Sequence, residues 1–278
     1  MTSTDRAFIH AFQTAAPAPS EPATTPTVAL GPTARADTPP VTPRRPLSEH
    51  LASRRGTPPR HDGPADATAD ETRPFQPAIR LADLAWPRAA VELAGVARSA
   101  LLELIAAATS RGAAAECPSI SLAATGPGIG ATTATLAVAH LIGGLGGRVA
   151  VIDAGGGAAV SLGVDLTPVA LDENGTAIDA RSLGGRARHT TVAACDPAAS
   201  GAPAIRASLS RVAREHDLVL IDAGSADSAS AAAIGADPCV TTLLVDRAAG
   251  AARVRGVALA RLRAAGIDTK GVVETLVG

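Results

Sequence analysis

"SLAATGPGIGATTATLAVAHL" occupies residues 121–141, and its three parts decide how the rest of the chain is read. It opens on an apolar run of strand character and closes on an apolar run of helical length. Between them lies GPGIGATT, residues 126–133. A glycine-rich turn between a strand and a helix aims backbone N–H groups at the space above the helix. Those amides and the helix dipole together make an anion site. Gly126, Pro127, Gly128, Ile129, Gly130, Ala131, Thr132 and Thr133 are therefore the candidate ligand-binding residues.

Two nucleotide patterns compete for this loop, and a tight turn with no ligand is the third reading. The dinucleotide pattern G-x-G-x-x-G/A needs an acid about twenty residues further on. Gly126, Gly128 and Ala131 satisfy its first part, and Asp153 at the end of "RVAVID" supplies the acid, which would contact a NAD ribose. The phosphate-loop pattern G-x-x-x-x-G-K-[ST] is met by Gly130 and Thr132. It is broken at Thr125, which stands at the first glycine, and at Ala131, which stands at the lysine. No lysine lies nearby, because Lys270 is the only one in the chain.

Outward from the loop, apolar strands alternate with helical segments. After "SISLAAT" and "TTATLAVAHLIGGL" come strands at "RVAVIDA" and "HTTVAAC", a helix at "APAIRASLSRVAREH" and a strand at "DLVLIDA". A short helix "SASAAAIGA", a strand "CVTTLLVD", a helix "GAARVRGVALARLRAAG" and a last strand "GVVETLV" follow. Near-continuous Val/Leu/Ile strands between helices predict a doubly wound, three-layer α/β domain on a mainly parallel sheet. Before the loop, the spacing of Val91, Leu93 or Ala94, Val96, Leu101, Leu104 and Ile105 predicts one helix over 88–110, with Gly112 suited to its C-cap.

The N-terminal third differs in kind. Fifteen of the 21 prolines precede residue 88. Residues 15–74 carry proline, alanine and threonine without apolar period, the composition of a disordered linker. Residues 1–14 hold Phe8, Ile9 and Phe12, the apolar face of a short docking helix for a partner. Residues 75–278 form the folded domain, with Phe75 and Trp86 in an arm packed on it. The 278 residues, 46% hydrophobic, bury one good-sized core. A net charge of −1 gives no global case for nucleic acid. Three widely spaced cysteines, Cys117, Cys195 and Cys239, read as small buried thiols in a reducing compartment, not as a zinc site. No apolar run spans a bilayer and no secretory segment opens the chain, so the expected location is the cytoplasm.

From Phe75 onward the chain resembles the bacterial tyrosine-kinase branch of the ParA/MinD-like P-loop ATPases, the kinase domains of capsule and exopolysaccharide synthesis. The family loop has the form T-S-x-x-P-G-E-G-K-S, and AATGPGIGAT, residues 123–132, keeps Pro127, Gly128 and Gly130 in register. Of the family's D-x-D-x-R after a strand, "VAVIDAGGG" keeps Asp153 and puts Gly155 and Gly157 at the other positions. Of D-x-P-P, "LVLIDAGS" keeps Asp222. The last strand, which usually brings an asparagine to the adenine, has Glu274 at that place.

The resemblance implies ATP or ADP on the loop amides, and Mg2+ on Thr132 and, through water, on Asp222. Asp153 would orient water or a metal ligand, and Arg181, Arg186 and Arg188 would supply charge from a loop. Either aspartate also has a plainer reading, as the cap of the turn after its strand. The resemblance further implies a membrane-protein partner in envelope polysaccharide assembly and homo-oligomers, with a cytoplasmic protein that has no membrane span of its own and meets the membrane through that partner. With Ala131 at the lysine, binding is expected to be weak and the protein a pseudokinase with a regulatory or scaffold role. A slow ATPase, or a tyrosine kinase acting on a partner, is the enzymatic alternative. Autophosphorylation on tyrosine is excluded because the chain contains none. Arg253, Arg255, Arg261 and Arg263 do not share one stripe, which argues against a DNA-contacting patch.

Overall fold

Every residue of β4 (Val149–Asp153) is buried, as an unbroken apolar strand requires when helices cover both faces of its sheet. The computed structural model describes residues 9–12, 79–81, 85–111, 118–155, 157–167, 169–170, 179–183, 190–248 and 250–275. Six parallel strands form the centre, in the order β10 (Gly271–Thr275), β9 (Val240–Arg247), β3 (Ser119–Ala124), β8 (Leu218–Ser225), β4 and β7 (Thr190–Asp196). The glycine-loop strand β3 therefore lies between β9 and β8, with β4 one strand further on. Asp153 and Asp222 are register partners across β4 and β8.

Alternation along the strands sorts the core into two layers. Ile120, Leu122, Val149, Val151, Leu220, Leu243 and Val245 face α1 (Arg88–Val96), α2 (Arg98–Arg111), α3 (Ala131–Gly144) and α4 (Ala158–Leu162). Ala150, Ile152, Val219 and Ile221 point the other way, against α5 (Ala202–Glu215) and α6 (Ala229–Gly235). Ala123, Ala223 and Leu244 face α6 and α7 (Ala252–Ala264). This is the doubly wound three-layer architecture that the sequence predicts.

Three details depart from the sequence reading. The helix expected over 88–110 is two helices, separated at Ala97. Its buried stripe is Ala90, Leu93, Ala94, Ala97, Leu101, Leu104, Ile105 and Ala108, while Val91 and Val96 are exposed. Alanines carry half of that face because their small side chains let α1 lie close against α3. Of the docking helix expected over 1–14, Ile9–Phe12 forms a strand instead, β1, antiparallel to β10. The outer edge of β10 presents a row of backbone N–H and C=O groups, and a segment with isoleucine and phenylalanine suits strand pairing. Strand β6 (Asp179–Leu183) is antiparallel to β7 and carries the edge strand β2 (Ile79–Leu81) on its far side. Its polar sequence DARSL gave no periodic signal. A two-residue strand, β5 (Val169–Ala170), also pairs with β7. The linker expected over 15–74 lies outside the described residues.

Cys195 is buried and burial pushes its thiol up to about 12. Cys239 is exposed, which corrects the expectation of three buried thiols, and Cys117 lies outside the described residues. Among the described residues no helix is long and apolar enough to cross a membrane.

Trp86 ends the arm before α1. It packs half-buried on the α1–α3 layer, edge-on to His140 with ring centroids 5.1 Å apart. Replacing it, Trp86→Ala, removes that contact and part of a large apolar surface. The expected loss is about 2 kcal/mol, below the range for a fully buried tryptophan. Guanidinium unfolding followed by circular dichroism measures it, and an unchanged midpoint would show that the arm is not docked.

Candidate functional site

The loop is set by its glycines and by the two strands that close the sheet beside it. Gly128 (φ 69°) and Gly130 (φ 102°) are in the left-handed region, where a side chain is strained. Gly130 is also the N-cap of α3. Pro127 and Gly128 form a hydrogen-bonded turn, and the first amides of α3, those of Ala131, Thr132 and Thr133, are helix-end N–H groups with no partner within the helix. Phosphate oxygens suit such a cradle, because it offers N–H groups at the positive end of a helix. Pro127 contributes no N–H. Ala131 begins α3 and is 5% exposed, its methyl group in the α1–α3 core.

Four residues that the motif patterns do not single out hold the loop. The Thr275 hydroxyl, at the end of β10, donates to the Ile129 carbonyl at 2.6 Å. The Thr125 hydroxyl donates to Asp246 Oδ1 at 2.8 Å. Asp246 is buried at the end of β9, and its Oδ2 accepts from Arg255 Nε at 2.7 Å. Arg255 then places Nη2 2.7 Å from Glu274 Oε1. Glu274, the residue expected at an adenine, is thus held by α7, and its neighbour Thr275 is the one that meets the loop. Thr125, Asp246, Arg255 and Thr275 are ordinary polar residues at strand and helix ends. Only the pairing of β9 with β3 and β10 brings them together.

The two aspartates singled out from the sequence meet the loop on its other side. Asp222 is fully buried, and its Oδ2 accepts from the Thr132 hydroxyl at 2.7 Å. Burial pushes the Asp222 carboxyl above its ordinary range. Asp153 nearby adds to that rise, and the bonds from Thr132 and from the Gly224 amide oppose it. Asp153 is 2% exposed and accepts from two amides of the segment that follows it, Gly157 N at 3.1 Å and Ala159 N at 2.7 Å. That segment crosses the front of the Thr132–Asp222 pair. A Cβ on Gly157 would lie 2.5 Å from Thr132 Oγ1 and 3.1 Å from Asp222 Oδ2. Gly157 stands where the family pattern has an arginine, and the structure gives it the role of close approach.

The phosphate groups of a nucleotide therefore fit what the loop offers, and the Thr132 hydroxyl and Asp222 carboxyl beside it are oxygen donors of the kind magnesium takes. The two bond each other, and Gly157 packs close enough beside them to leave no room for a side chain of its own. Among the described residues no group of three or more His, Cys, Asp or Glu side chains offers another metal site. The charge expected from Arg186 and Arg188 lies outside the described residues, and Arg181 is on β6, two strands beyond β4. Arg253 and Arg261 line a groove of about 210 Å³ with Thr125, Val254 and Val257, where Arg261 faces Asp227 at 3.2 Å.

No family model and no curated protein matches the chain. Among solved structures, it is similar to the kinase domain of the Escherichia coli tyrosine kinase ETK. The TM-score is 0.48 at 21% identity, over 66% of this chain and 73% of that one. The tyrosine kinase domain of BceF aligns at 0.45 and 23%, over 66% and 75%. The kinase domain of VpsO aligns at 0.47 and 17%, over 67% and 93%.

The raised Asp222 carboxyl makes a signed prediction. The folded chain keeps this proton to a higher pH than the unfolded chain does, whose carboxyl ionises near the ordinary 3.8. The contribution of Asp222 to stability is therefore greatest at acid pH and falls as pH rises from about 4 through the raised folded value. Asp222→Asn removes that loss. Its stability relative to the unmodified chain is expected to improve between pH 4 and pH 7.5, in melts followed by Trp86 fluorescence. A difference that is the same at both pH values would contradict the assignment.

Proposed function

We propose that the protein is a kinase-like nucleotide-binding protein with a degenerate phosphate loop, holding ATP or ADP weakly and acting as a regulatory or scaffold component in bacterial exopolysaccharide or capsule assembly. The observation that supports it is the set of helix-end amides at Ala131, Thr132 and Thr133 that follows the glycine turn at the N-terminus of α3, beside buried Asp222 and Asp153 at neighbouring strand ends. A dinucleotide site draws less support. It needs Asp153 free for a ribose, and both Asp153 oxygens accept from the chain's own amides. The polysaccharide pathway, the membrane-protein partner and self-association follow from the family resemblance of the motifs.

Ala131 sets the limit on the chemistry. The lysine that usually stands there bridges the β- and γ-phosphates and meets charge that builds up in phosphoryl transfer. A charge-assisted hydrogen bond of that kind contributes roughly 1.5–3 kcal/mol to ground-state binding. Its loss weakens a nucleotide complex by about 10–100-fold. The transition state loses more, because charge concentrates there in a site poor in water. Binding without efficient transfer follows from that inequality. Thr132 and Asp222 are the residues that would hold magnesium, and the metal would supply the Lewis-acid charge that the loop lacks. The enzymatic alternative, a slow ATPase or a kinase for a partner's tyrosines, needs a cation delivered by another chain.

Restoring the cation tests the reading. The full chain and Ala131→Lys are melted with ATP and ADP, and NAD serves as the control. Adenine nucleotides are expected to raise the melting temperature of the full chain slightly at millimolar concentration. Ala131→Lys should bind them roughly 10–100-fold more tightly. No shift with either adenine nucleotide in either chain would sink the proposal, and a shift with NAD alone would transfer it to the dinucleotide reading.

A further inference from the structure

We propose that the groove between α7 and the turn after β8 is a docking site for an acidic peptide segment of a protein partner, held there by an aliphatic side chain. Nucleotide binding plays no part in it.

The spacing of residues on α7 sets the shape of the groove. Val254, Val257, Ala258 and Arg261 recur at i, i+3, i+4 and i+7, which is one stripe of a helix. They line a groove of about 210 Å³, and Ala226 and Asp227, from the turn after β8, line it with them. Ala258 is buried, whereas Val254 and Val257 are 51% and 45% exposed. Apolar residues scattered singly on a surface need no partner. These two share one stripe and open into one groove. The helix is not free to roll and bury them. Leu262 is packed in the core, and Arg255, which lies off the stripe, is held by Asp246 and Glu274.

Charge and size narrow the occupant. Arg253 stands exposed on the α7 wall and pairs with no acid among the described residues. Arg261 meets Asp227 at 3.2 Å, with both side chains more than half exposed, and a pair of that kind holds its members weakly. The groove therefore carries two cations to one acid, in a chain whose net charge is −1. A second copy offering the same face would set arginines against arginines, and like charges across an interface repel. Pockets that enclose small molecules run to about 300–1,000 Å³, above the volume here. A nucleic acid needs a row of phosphate contacts, which one unpaired arginine does not supply. An acidic segment with one apolar anchor meets both features. Its aliphatic side chain covers Val254 and Val257, and its carboxylates face Arg253 and Arg261.

Fluorescence anisotropy tests this on the full chain, with a labelled peptide of aspartate and leucine whose leucines recur at i, i+3, i+4 and i+7. The expected result is saturation below about 1 mM at low ionic strength, weakening as added salt screens the arginines. Arg253→Glu and Val257→Asp should each weaken it about tenfold. Val160→Asp, at a valine 78% exposed on α4 across the sheet, should leave it unchanged. All three changes are at exposed side chains, and circular dichroism checks that the variants fold. Peptides with lysine for aspartate, or serine for leucine, should also bind about tenfold more weakly. No saturation by the acidic leucine peptide up to about 1 mM overturns the proposal. So does binding that Arg253→Glu and Val257→Asp leave unchanged. An oligo-dT that binds more tightly than the peptide, and is lost in Arg253→Glu, would overturn it in favour of nucleic acid. Sedimentation showing a dimer that Val257→Asp dissolves would overturn it in favour of a second copy.

Discussion

Two carboxylates stand side by side, buried, at the ends of adjacent strands, and the loops around them are arranged to satisfy both. Asp153 and Asp222 are register partners on β4 and β8 and are 2% and 0% exposed. A buried carboxylate without hydrogen bonds is costly, and a neighbouring one makes it more so. Thr132 and the Gly224 amide serve Asp222, and the amides of Gly157 and Ala159 serve Asp153. Thr132 belongs to the first turn of the loop helix, so this requirement pulls α3 onto β8. The other two donors of the Asp153 pair belong to the segment after β4, which is drawn across the front of the same site. The glycine loop, the strand ends and the covering segment form one unit because of these bonds.

The opposite flank is tied down by different chemistry. Asp246 at the end of β9 is a third buried carboxylate, and it takes a hydroxyl from Thr125 and a guanidinium from Arg255. The Arg255 side chain is about a quarter exposed, so the pair is less costly than one wholly removed from water. Thr275 closes the arrangement by donating to Ile129. The loop is therefore fixed at its start through β9, in its middle through β10 and at its helical end through β8. Preorganised amides of this kind lose little order when an anion arrives, which is what a site with no cation of its own needs.

Much of this was legible in the sequence, for identifiable reasons. Parallel strands that are buried on both faces show as unbroken Val/Leu/Ile runs, and β4, β8 and β9 do. Aspartates at the ends of such runs lie at the carboxyl edge of the sheet, so Asp153 and Asp222 could be placed beside the loop before any coordinates. Loop glycines announce left-handed backbone, as Gly128 and Gly130 have. The remainder depended on strand order, which no local pattern carries. Thr125, Asp246 and Thr275 meet only because β3 and β10 both flank β9. Gly157 looked like a lost arginine, and its closeness to Thr132 is a property of how two loops pack. The alanine-rich face of α1 and α2 was misread for another reason. Val91 and Val96 outweigh Ala90 and Ala97 in hydropathy, but the close approach of α3 favours the small residues.

Ala131 at the head of α3 and Gly157 after β4 both lie beside the Thr132–Asp222 pair. A lysine at the head of α3 and a magnesium ion beside Thr132 both neutralise the outer phosphates of a nucleotide. Removing the lysine alone leaves a site that the metal can still partly rescue. Filling the metal position alone leaves a site with a cation and no bridge. Here the head of α3 carries Ala131, whose side chain is 5% exposed within an apolar core. The Asp222 carboxyl, raised by burial, is also less ready to serve a metal as an anion. Neither the alanine at 131 nor the burial of Asp222 disturbs the helix-end amides of α3.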